Sequence, residues 1–167
     1  WRIKAKDPKA NIVVTPSDHV VMNVQEFQRV IISCMDFTAD SDAIVTLGMK
    51  PSRPETGYGY VQKSEETPEE NIYSLKTFTE KPERQFAEIF VQDGSFLWNT
   101  GIFLFSADAM LDNIKKLVPE YEVEMPKMRA DAEVQDPKYL PDFFSELPKL
   151  SVDIGIMEKS SNVYVYT

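Results

Sequence analysis

Apolar residues along the chain form two kinds of pattern, short continuous runs and one-sided helical repeats. Residues 11–15 and 43–47 are nearly continuous apolar runs, which are typical of strands buried in a parallel sheet. Between them, four apolar residues recur with the i, i+3, i+4, i+7 spacing of one helix face: Phe27, Val30, Ile31 and Cys34. Asn23 and Glu26 have the spacing of a capping box, so this helix is predicted to begin after Asn23 and to end near Phe37. We expect the strand, helix and strand to form a right-handed βαβ unit.

The rest of the chain predicts a hairpin followed by alternating helices and strands. In order, the pattern gives strands at 58–61 and 72–79, a helix at 83–93, a strand at 96–105, a helix at 107–118, short helices between the prolines of 126–148, one or two helical turns at 153–159 and a strand at 162–167. Pro82 suits the first turn of a helix, and Gly94 suits the position after its end. The buried face of that helix is expected to carry Phe86, Ile89 and Phe90. We interpret the whole as one α/β unit with a mixed sheet.

Composition narrows the class of protein. With 18 Lys plus Arg against 27 Asp plus Glu, the formal net charge is −9, which argues against nucleic acid and anionic membranes as partners. No apolar run approaches the roughly 20 residues of a membrane span, and no signal peptide is indicated. The one cysteine cannot form an internal disulfide. We therefore expect a soluble, cytoplasmic protein.

Asp18 follows the first predicted strand. In open α/β sheets, ligands bind outside the carboxyl ends of strands, and a carboxylate there suits Mg²⁺, which takes one or two carboxylates plus phosphate oxygens. An Asp here is also typical of a helix cap or a turn, and the local pattern alone favours that interpretation. His19 is interpreted as a structural histidine, because no second His or Cys lies nearby to complete a zinc site. Cys34 occupies a core position of the first helix, so no nucleophilic Cys/His pair is indicated.

Three further segments place polar or small residues beside predicted strands. Glu80 can accept hydrogen bonds from sugar hydroxyls and Lys81 can neutralise a phosphate, but a surface ion pair is the alternative. Gly57 and Gly59 allow a ligand to approach the backbone, or they form a tight turn with a bulge. Asn99 lies inside an apolar strand, so its amide must be paired either by the fold or by a ligand.

Five stretches of the chain carry a resemblance to a known family. They are NIVVTPSDH at 11–19, TLGMKPSRPETGYGYV at 46–61, FTEKPER at 78–84, FLWNTGIFLF at 96–105 and SVDIGIMEKSSNVYVY at 151–166. In this order and spacing they resemble the mannose-1-phosphate guanylyltransferases, a branch of the sugar nucleotidyltransferases. The resemblance implies a Rossmann-like mixed sheet flanked by helices. It also implies that mannose 1-phosphate and GTP are converted into GDP-mannose and pyrophosphate.

The same resemblance implies roles for individual residues. Asp18 is implied to be a Mg²⁺ ligand with a catalytic role, and Lys81 to be a catalytic residue that faces the sugar phosphate. The substrate-binding residues that it implies are Gly59, Glu80, Lys81, Asn99 and Asp153. Residues 1–167 would be the central and sugar-binding part of a single nucleotidyltransferase domain.

Some parts of the family pattern would lie outside residues 1–167. The glycine-rich, Arg-containing triphosphate loop would precede Trp1, and the second metal-binding Asp would follow Thr167. We therefore expect a fold truncated at both ends, no catalysis by the isolated chain, and strand edges that favour a homo-oligomer. Two alternatives stay open. One is another sugar-1-phosphate nucleotidyltransferase, using glucose 1-phosphate with UTP or dTTP, and the other is a non-catalytic module that senses sugar phosphates.

Overall fold

A computed structural model describes residues 1–121, 145 and 147–167. Its strands are β1 (Asn11–Val14), β2 (Ile44–Met49), β3 (Tyr60–Lys63), β4 (Ile72–Thr79), β5 (Phe96–Ser106) and β6 (Val163–Tyr166). Its helices are α1 (Arg2–Lys6), α2 (Val24–Ala39), α3 (Arg84–Asp93), α4 (Ala107–Leu117) and a π-helical turn at Asp153–Met157. The predicted order of strands and helices is confirmed, with α1 as an unpredicted addition. The short helices predicted for 126–148 fall almost wholly outside the described residues.

The described strands form one mixed sheet in the order β1-β5-β2-β6-β4-β3, so the α/β class is confirmed. β2 and β6 are parallel, and the other pairs run antiparallel. The start of β5 also pairs with β3, with Tyr60 opposite Trp98. The sheet therefore closes on itself through β5, a closure that the sequence pattern did not predict.

A bulge in β5 accompanies this closure. Thr46 of β2 lies opposite Phe103, whereas Gly48 lies opposite Asn99, so one residue of β2 faces three residues of β5. Gly101, within the bulge, has a φ of 71°, in the left-handed region that glycine enters without a steric penalty. The extra residues bend the strand. The polar interruption of the apolar run at 96–105 is this bend.

The predicted βαβ unit differs from the structure in one respect. β1 and β2 both run antiparallel to β5, so they are parallel to each other, as expected. They are not neighbours, because β5 lies between them. The pattern could not show this, since β5 comes from a segment about 50 residues further along the chain.

The start of α2 and the end of α3 are as predicted. The Asn23 side chain accepts a hydrogen bond from the backbone N–H of Glu26 at 3.1 Å, which satisfies a free donor of the first helical turn. Gly94 ends α3 with a φ of 79°, the usual conformation of a glycine at this position.

The buried face of α3 is not the predicted one. Phe86 is 47% exposed and Ile89 is 58% exposed, whereas Ala87 is fully buried. Ala87 and Phe90 pack in one cluster with Phe96, and the Phe90 and Phe96 rings stack at 4.1 Å between centroids. The small side chain of Ala87 marks the line along which the helix meets the sheet. Only Phe90 of the three predicted residues lies on that side.

Apolar clusters lie on both faces of the sheet and between its strands. The cluster beneath α2 contains Val30, Cys34, Val45, Ile72, Ile102, Leu104 and Tyr166. The cluster beneath α4 and the π-helical turn contains Ile44, Phe103, Phe105, Val118, Ile156, Met157 and Val163. A smaller cluster of Val61, Leu97 and Val165 joins β3, β5 and β6. No helix in the described part of the chain is long and apolar enough to cross a bilayer.

Candidate functional site

The bulge of β5 places Asn99 in a network of hydrogen bonds. Asn99 Oδ1 accepts from the Thr46 hydroxyl at 2.7 Å and from the Gly101 backbone N–H at 3.2 Å. Asn99 Nδ2 donates to Asp153 Oδ1 at 3.1 Å, and the Asn99 backbone N–H donates to the Gly59 carbonyl at 2.8 Å. The fold therefore pairs the amide. One Nδ2 hydrogen is left without an acceptor among residues 1–121, 145 and 147–167.

Gly59 lies directly against the carboxylate of Glu80. A Cβ at Gly59 would meet Glu80 Oε2 at 2.6 Å, and the Glu80 side chain is only 17% exposed. A Cβ at Gly57 would meet only Glu55 Oε1, at 3.4 Å. Gly59 does not have a positive φ, so space rather than backbone conformation calls for glycine here. This supports the close-approach interpretation of Gly59.

The loop before β3 is held by the ring of Tyr60, which is fully buried. Tyr60 Oη accepts from the backbone N–H of Glu55 and donates to its carbonyl, each at 2.9 Å. The Glu55 carboxylate accepts from the Gly57 N–H at 3.1 Å and pairs with Arg53 Nη2 at 3.0 Å. The Gly57 hydrogen bond, and then the one from Arg53, lower the pKa of Glu55. These contacts fix the loop that presents Gly59.

Glu80 and Lys81 form the turn that follows β4. Lys81 Nζ lies 3.0 Å from Glu80 Oε1, so the ion pair is present. Lys81 has a φ of 46°, which is uncommon for a residue other than glycine. Residues in such backbone conformations cluster at functional sites. The Glu80 backbone N–H donates to Glu158 Oε1 at 3.2 Å. Because the Lys81 side chain is 62% exposed, it can exchange its carboxylate partner for an incoming anion.

Asp153, at the start of the π-helical turn, completes the cluster. Burial raises its pKa above the ordinary 3.8, and the charge of Glu80 raises the pKa further, against smaller opposing effects from hydrogen bonds and from Lys81. The two carboxylates therefore repel each other. A hydrogen-bond donor or a cation between them would relieve that repulsion.

Asp18 belongs to the segment that follows β1. The chain leaves β1 beside the β5 bulge, where Pro16 Cγ lies 3.6 Å from a Cβ built on Gly101. Asp18 is exposed within a turn, and its side chain makes no hydrogen bond or ion pair with the described residues. Of the helix cap or turn that the sequence suggested, the structure shows the turn, because Asn23 caps α2. In the part of the chain that the structure describes, no three His, Cys, Asp or Glu side chains are grouped to hold a metal ion.

The two other candidate reactive side chains, His19 and Cys34, differ in exposure. His19 is exposed, which corrects its interpretation as a satisfied structural histidine. Cys34 is fully buried, and burial, followed by the charge of Glu69, raises the pKa of its thiol to about 12. It therefore stays protonated and is not a nucleophile.

The sequence interpretation missed two residues of this network, Thr46 and Glu158. Thr46 is fully buried, and a buried hydroxyl in an apolar strand needs a partner for the same reason that the Asn99 amide does. That signal was present in the run at 43–47. Glu158 gives no such signal, because it is exposed and its bond to Glu80 spans 78 residues of sequence.

The raised pKa of Asp153 predicts a pH-dependent effect of Asp153→Asn. A carboxyl whose pKa is higher in the folded state stabilises the fold below its ordinary pKa, and that contribution is lost as the pH rises through the raised value. The substituted amide does not titrate and keeps an oxygen to accept from Asn99. We therefore expect the variant to gain stability over the wild type as the pH rises from about 4 to about 8. Urea unfolding across this range measures the difference, and a gain that shrinks with rising pH would contradict the prediction.

Comparison with known proteins extends these observations. The family model of nucleotidyl transferases matches residues 1–141. The mannose-1-phosphate guanylyltransferase of Escherichia coli is 34% identical over 181 residues, an alignment that covers 99% of this chain and 37% of that protein. The chain thus spans little more than a third of the length of this curated relative.

Solved structures share the fold. A structure described as a mannose-1-phosphate geranyltransferase from Thermus thermophilus matches with a TM-score of 0.83 at 29% identity, covering 98% of this chain and 46% of that chain. A structure described as a mannose-6-phosphate isomerase from Helicobacter pylori matches with a TM-score of 0.79 at 25% identity, covering 96% of this chain and 62% of that chain. Because the family model covers most of the sequence, this chain belongs to the nucleotidyl transferase family.

Proposed function

We propose that this chain forms the sugar-phosphate side of a mannose-1-phosphate guanylyltransferase, which transfers GMP from GTP to mannose 1-phosphate. The observation that carries the proposal is the meeting of Gly59, Glu80, Asn99 and Asp153 beside the β5 bulge. The name of the Escherichia coli relative supports this choice of substrate. Residues 1–167 would then be the central, sugar-binding part of a single domain.

The proposed sugar contacts use both acceptors and a donor. The carboxylates of Glu80 and Asp153 accept hydrogen bonds from sugar hydroxyls, and such charge-assisted bonds are stronger than neutral ones. The remaining Nδ2 hydrogen of Asn99 donates to a hydroxyl oxygen. Gly59 leaves room for Glu80 and for the approach of the sugar ring. Binding a hydroxyl between the two carboxylates would also relieve the repulsion that, in addition to burial, raises the pKa of Asp153.

The phosphate contact is assigned to Lys81. Its ammonium pairs with Glu80 at 3.0 Å and is the charged donor of this turn. The ammonium group has three hydrogen-bond donors, so Lys81 can bridge an incoming phosphate and Glu80. The phosphate carries more negative charge than one carboxylate and therefore attracts the ammonium strongly. We propose Lys81 as the catalytic residue that offsets the charge of the sugar phosphate.

The metal is assigned to Asp18. Nucleotidyl transferases generally depend on a divalent metal ion. The exposed carboxylate of Asp18, free of partners among the described residues, fits Mg²⁺, which takes one or two carboxylates and completes its shell with water and phosphate oxygens. We therefore propose Asp18 as a Mg²⁺ ligand with a catalytic role. Bound there, Mg²⁺ would supply positive charge to neutralise phosphate oxygens.

The proposed reaction is an in-line substitution at phosphorus. A phosphate oxygen of mannose 1-phosphate forms a bond to the α-phosphorus of GTP, while the bond from that phosphorus to its bridging oxygen breaks and pyrophosphate leaves. Both reactants are anions, so catalysis depends mainly on positioning and charge neutralisation. This chain contributes by holding the sugar phosphate in place and by offsetting charge through Lys81.

The proposed partners are therefore the small molecules mannose 1-phosphate and GTP. The net charge of −9 supports a small-molecule enzyme over a nucleic-acid binder. A cytoplasmic location and association into a homo-oligomer remain parts of this proposal.

Two alanine variants test the sugar site. In Gly59→Ala the new methyl group displaces the Glu80 carboxylate, and the loss of a charged hydrogen bond, about 1.5–3 kcal/mol, weakens binding of mannose 1-phosphate about tenfold or more. Gly57→Ala is the matched control, because its methyl group meets only Glu55 Oε1 at 3.4 Å, and it should bind like the wild type. Isothermal titration calorimetry with Mg²⁺ present measures the affinity of the wild type and of both variants for mannose 1-phosphate. Equal affinities for the two variants would contradict the site.

A product assay tests whether this chain alone catalyses the transfer of GMP. The chain is incubated with GTP, mannose 1-phosphate and Mg²⁺, and GDP-mannose is sought by anion-exchange chromatography. We expect binding of the sugar phosphate without product. Formation of GDP-mannose would overturn the proposal that this chain supplies only the sugar-phosphate side.

A further inference from the structure

The hydroxyl of Thr46 lies behind the candidate sugar site rather than in it. Thr46 is fully buried in the middle of β2, so it cannot contact a ligand. Its Oγ1 lies 2.7 Å from Asn99 Oδ1 and 3.1 Å from the Ile102 carbonyl. A hydroxyl has one hydrogen to donate, and these two acceptors share it, with the Asn99 amide oxygen the nearer.

Three contacts together fix which way the Asn99 amide faces. Thr46 and the Gly101 N–H both donate to Oδ1, and Asp153 accepts from Nδ2. Turning the amide over would set its NH₂ group against the Gly101 N–H and its oxygen against the Asp153 carboxylate. Both contacts would be repulsive, so the Nδ2 group stays on the Asp153 side.

We propose that Thr46 is a positioning residue that holds Asn99 as a hydrogen-bond donor to the sugar and so sets the discrimination between epimeric sugar phosphates. The inference rests on the proposed function, because it concerns the same sugar site. A donor in a fixed place forms a hydrogen bond only with a hydroxyl oxygen at one position of the sugar ring, so it favours binding of the epimer that has a hydroxyl there. Without the Thr46 hydroxyl, Asn99 Oδ1 keeps, among the described residues, only the Gly101 N–H at 3.2 Å. The amide then keeps its facing but is held less firmly, so that an epimer with a differently placed hydroxyl is disfavoured less.

Thr46→Val removes the hydroxyl at nearly constant shape, and the chain offers a matched control. Thr38 is also fully buried, and its Oγ1 also lies near an Asn side-chain oxygen and a backbone carbonyl, at 3.1 Å from Asn11 Oδ1 and 2.9 Å from the Cys34 carbonyl. Thr38→Val therefore removes a similar buried hydrogen bond from the fold, at a position outside the candidate site. Thr46→Ser keeps the hydroxyl and should restore wild-type behaviour.

The first readout is binding selectivity. We expect Thr46→Val to weaken mannose 1-phosphate binding about tenfold, the scale of one hydrogen bond, and to weaken glucose 1-phosphate binding less, so that the ratio of the two dissociation constants falls. Thr38→Val and Thr46→Ser should keep the wild-type ratio. A purely structural role for Thr46 would leave the ratio unchanged or change it equally in Thr38→Val, and either outcome would overturn the inference.

The second readout needs no ligand. Hydrogen exchange of the Asn99 side-chain amide, followed by ¹⁵N NMR, should be faster in Thr46→Val than in the wild type and Thr38→Val. If Thr46→Val does not fold, hydrogen exchange is measured on Thr46→Ser and the wild type instead. Rapid exchange of the Asn99 side-chain amide in the wild type would then refute the proposal that Thr46 holds this amide in place. Failure of the wild type to bind mannose 1-phosphate would count against the proposed function, whereas unchanged exchange would count against Thr46 alone.

Discussion

Asn99→Asp is expected to destabilise the chain strongly and to abolish binding of mannose 1-phosphate. The substitution keeps an oxygen for Thr46 and Gly101 but replaces Nδ2, which lies 3.1 Å from Asp153 Oδ1, by a second oxygen. Two carboxylates in contact cannot both ionise freely, and burial, followed by the charge of Glu80, already raises the pKa of Asp153. We expect a loss of about 2–3 kcal/mol in the free energy of unfolding at neutral pH. The loss should shrink in mildly acidic buffer, where one carboxyl takes up a proton.

The reciprocal double variant is the control for this prediction. Asn99→Asp combined with Asp153→Asn restores one amide and one carboxylate in contact, with their places exchanged. We expect urea unfolding to show most of the lost stability recovered at neutral pH. Ligand binding should stay lost, because the donor now projects from the wrong residue. A single variant as stable as the wild type at both pH values would show that Asn99 and Asp153 are not in contact.

Gly48→Ala is expected to have the largest effect on stability outside the site. A Cβ at Gly48 would lie 2.6 Å from Val165 Cγ2, 2.7 Å from Leu97 Cδ1 and 3.1 Å from Leu97 Cβ. Both neighbours are buried where the sheet closes, so they have little room to move. Overpacking of this kind costs about 1–3 kcal/mol, which lowers the melting temperature of a chain this size by about 3–10 °C.

Differential scanning calorimetry measures that effect, and two further variants define its cause. Gly57→Ala adds the same methyl group on an exposed loop and should melt within about 1 °C of the wild type. Val165→Ala in the Gly48→Ala background removes the nearest methyl groups, so the double variant should lose less stability than the two single losses added together. Strict additivity, or an unchanged melting temperature for Gly48→Ala, would show that Gly48 does not pack against Val165 and Leu97 as described.

The sequence predicted local structure better than it predicted pairing. The cap at Asn23 and the stop at Gly94 depend on chemistry within one helical turn, so the pattern shows them directly. The closure of the sheet depends on the bulge around Gly101 and on contacts between segments far apart in the chain. The buried face of α3 was wrong because apolar residues alone were counted, and the small residue at the contact, Ala87, carries no strong periodic signal.

In the candidate site, too, residues with a local sequence signal could be predicted and residues without one could not. Glu80, Asn99 and Gly59 could be selected because each breaks its local pattern, as a carboxylate at a strand end, an amide in an apolar strand and a glycine beside a strand. Thr46 breaks its pattern too, but a single hydroxyl is a weaker signal than an amide. The bond from Glu80 to Glu158 has no local signature at all, since only the folded chain brings the two together.

The measurement that tests the central claim most directly is a thermal-shift titration with Mg²⁺ and mannose 1-phosphate, with glucose 1-phosphate as the matched ligand. A ligand at 100 times its dissociation constant stabilises the fold by about 2.7 kcal/mol, which corresponds to roughly 5–10 °C for a chain of this size. The account predicts such a shift with mannose 1-phosphate and a clearly smaller one with glucose 1-phosphate at equal concentration. Equal shifts, or none with either sugar phosphate, would contradict it.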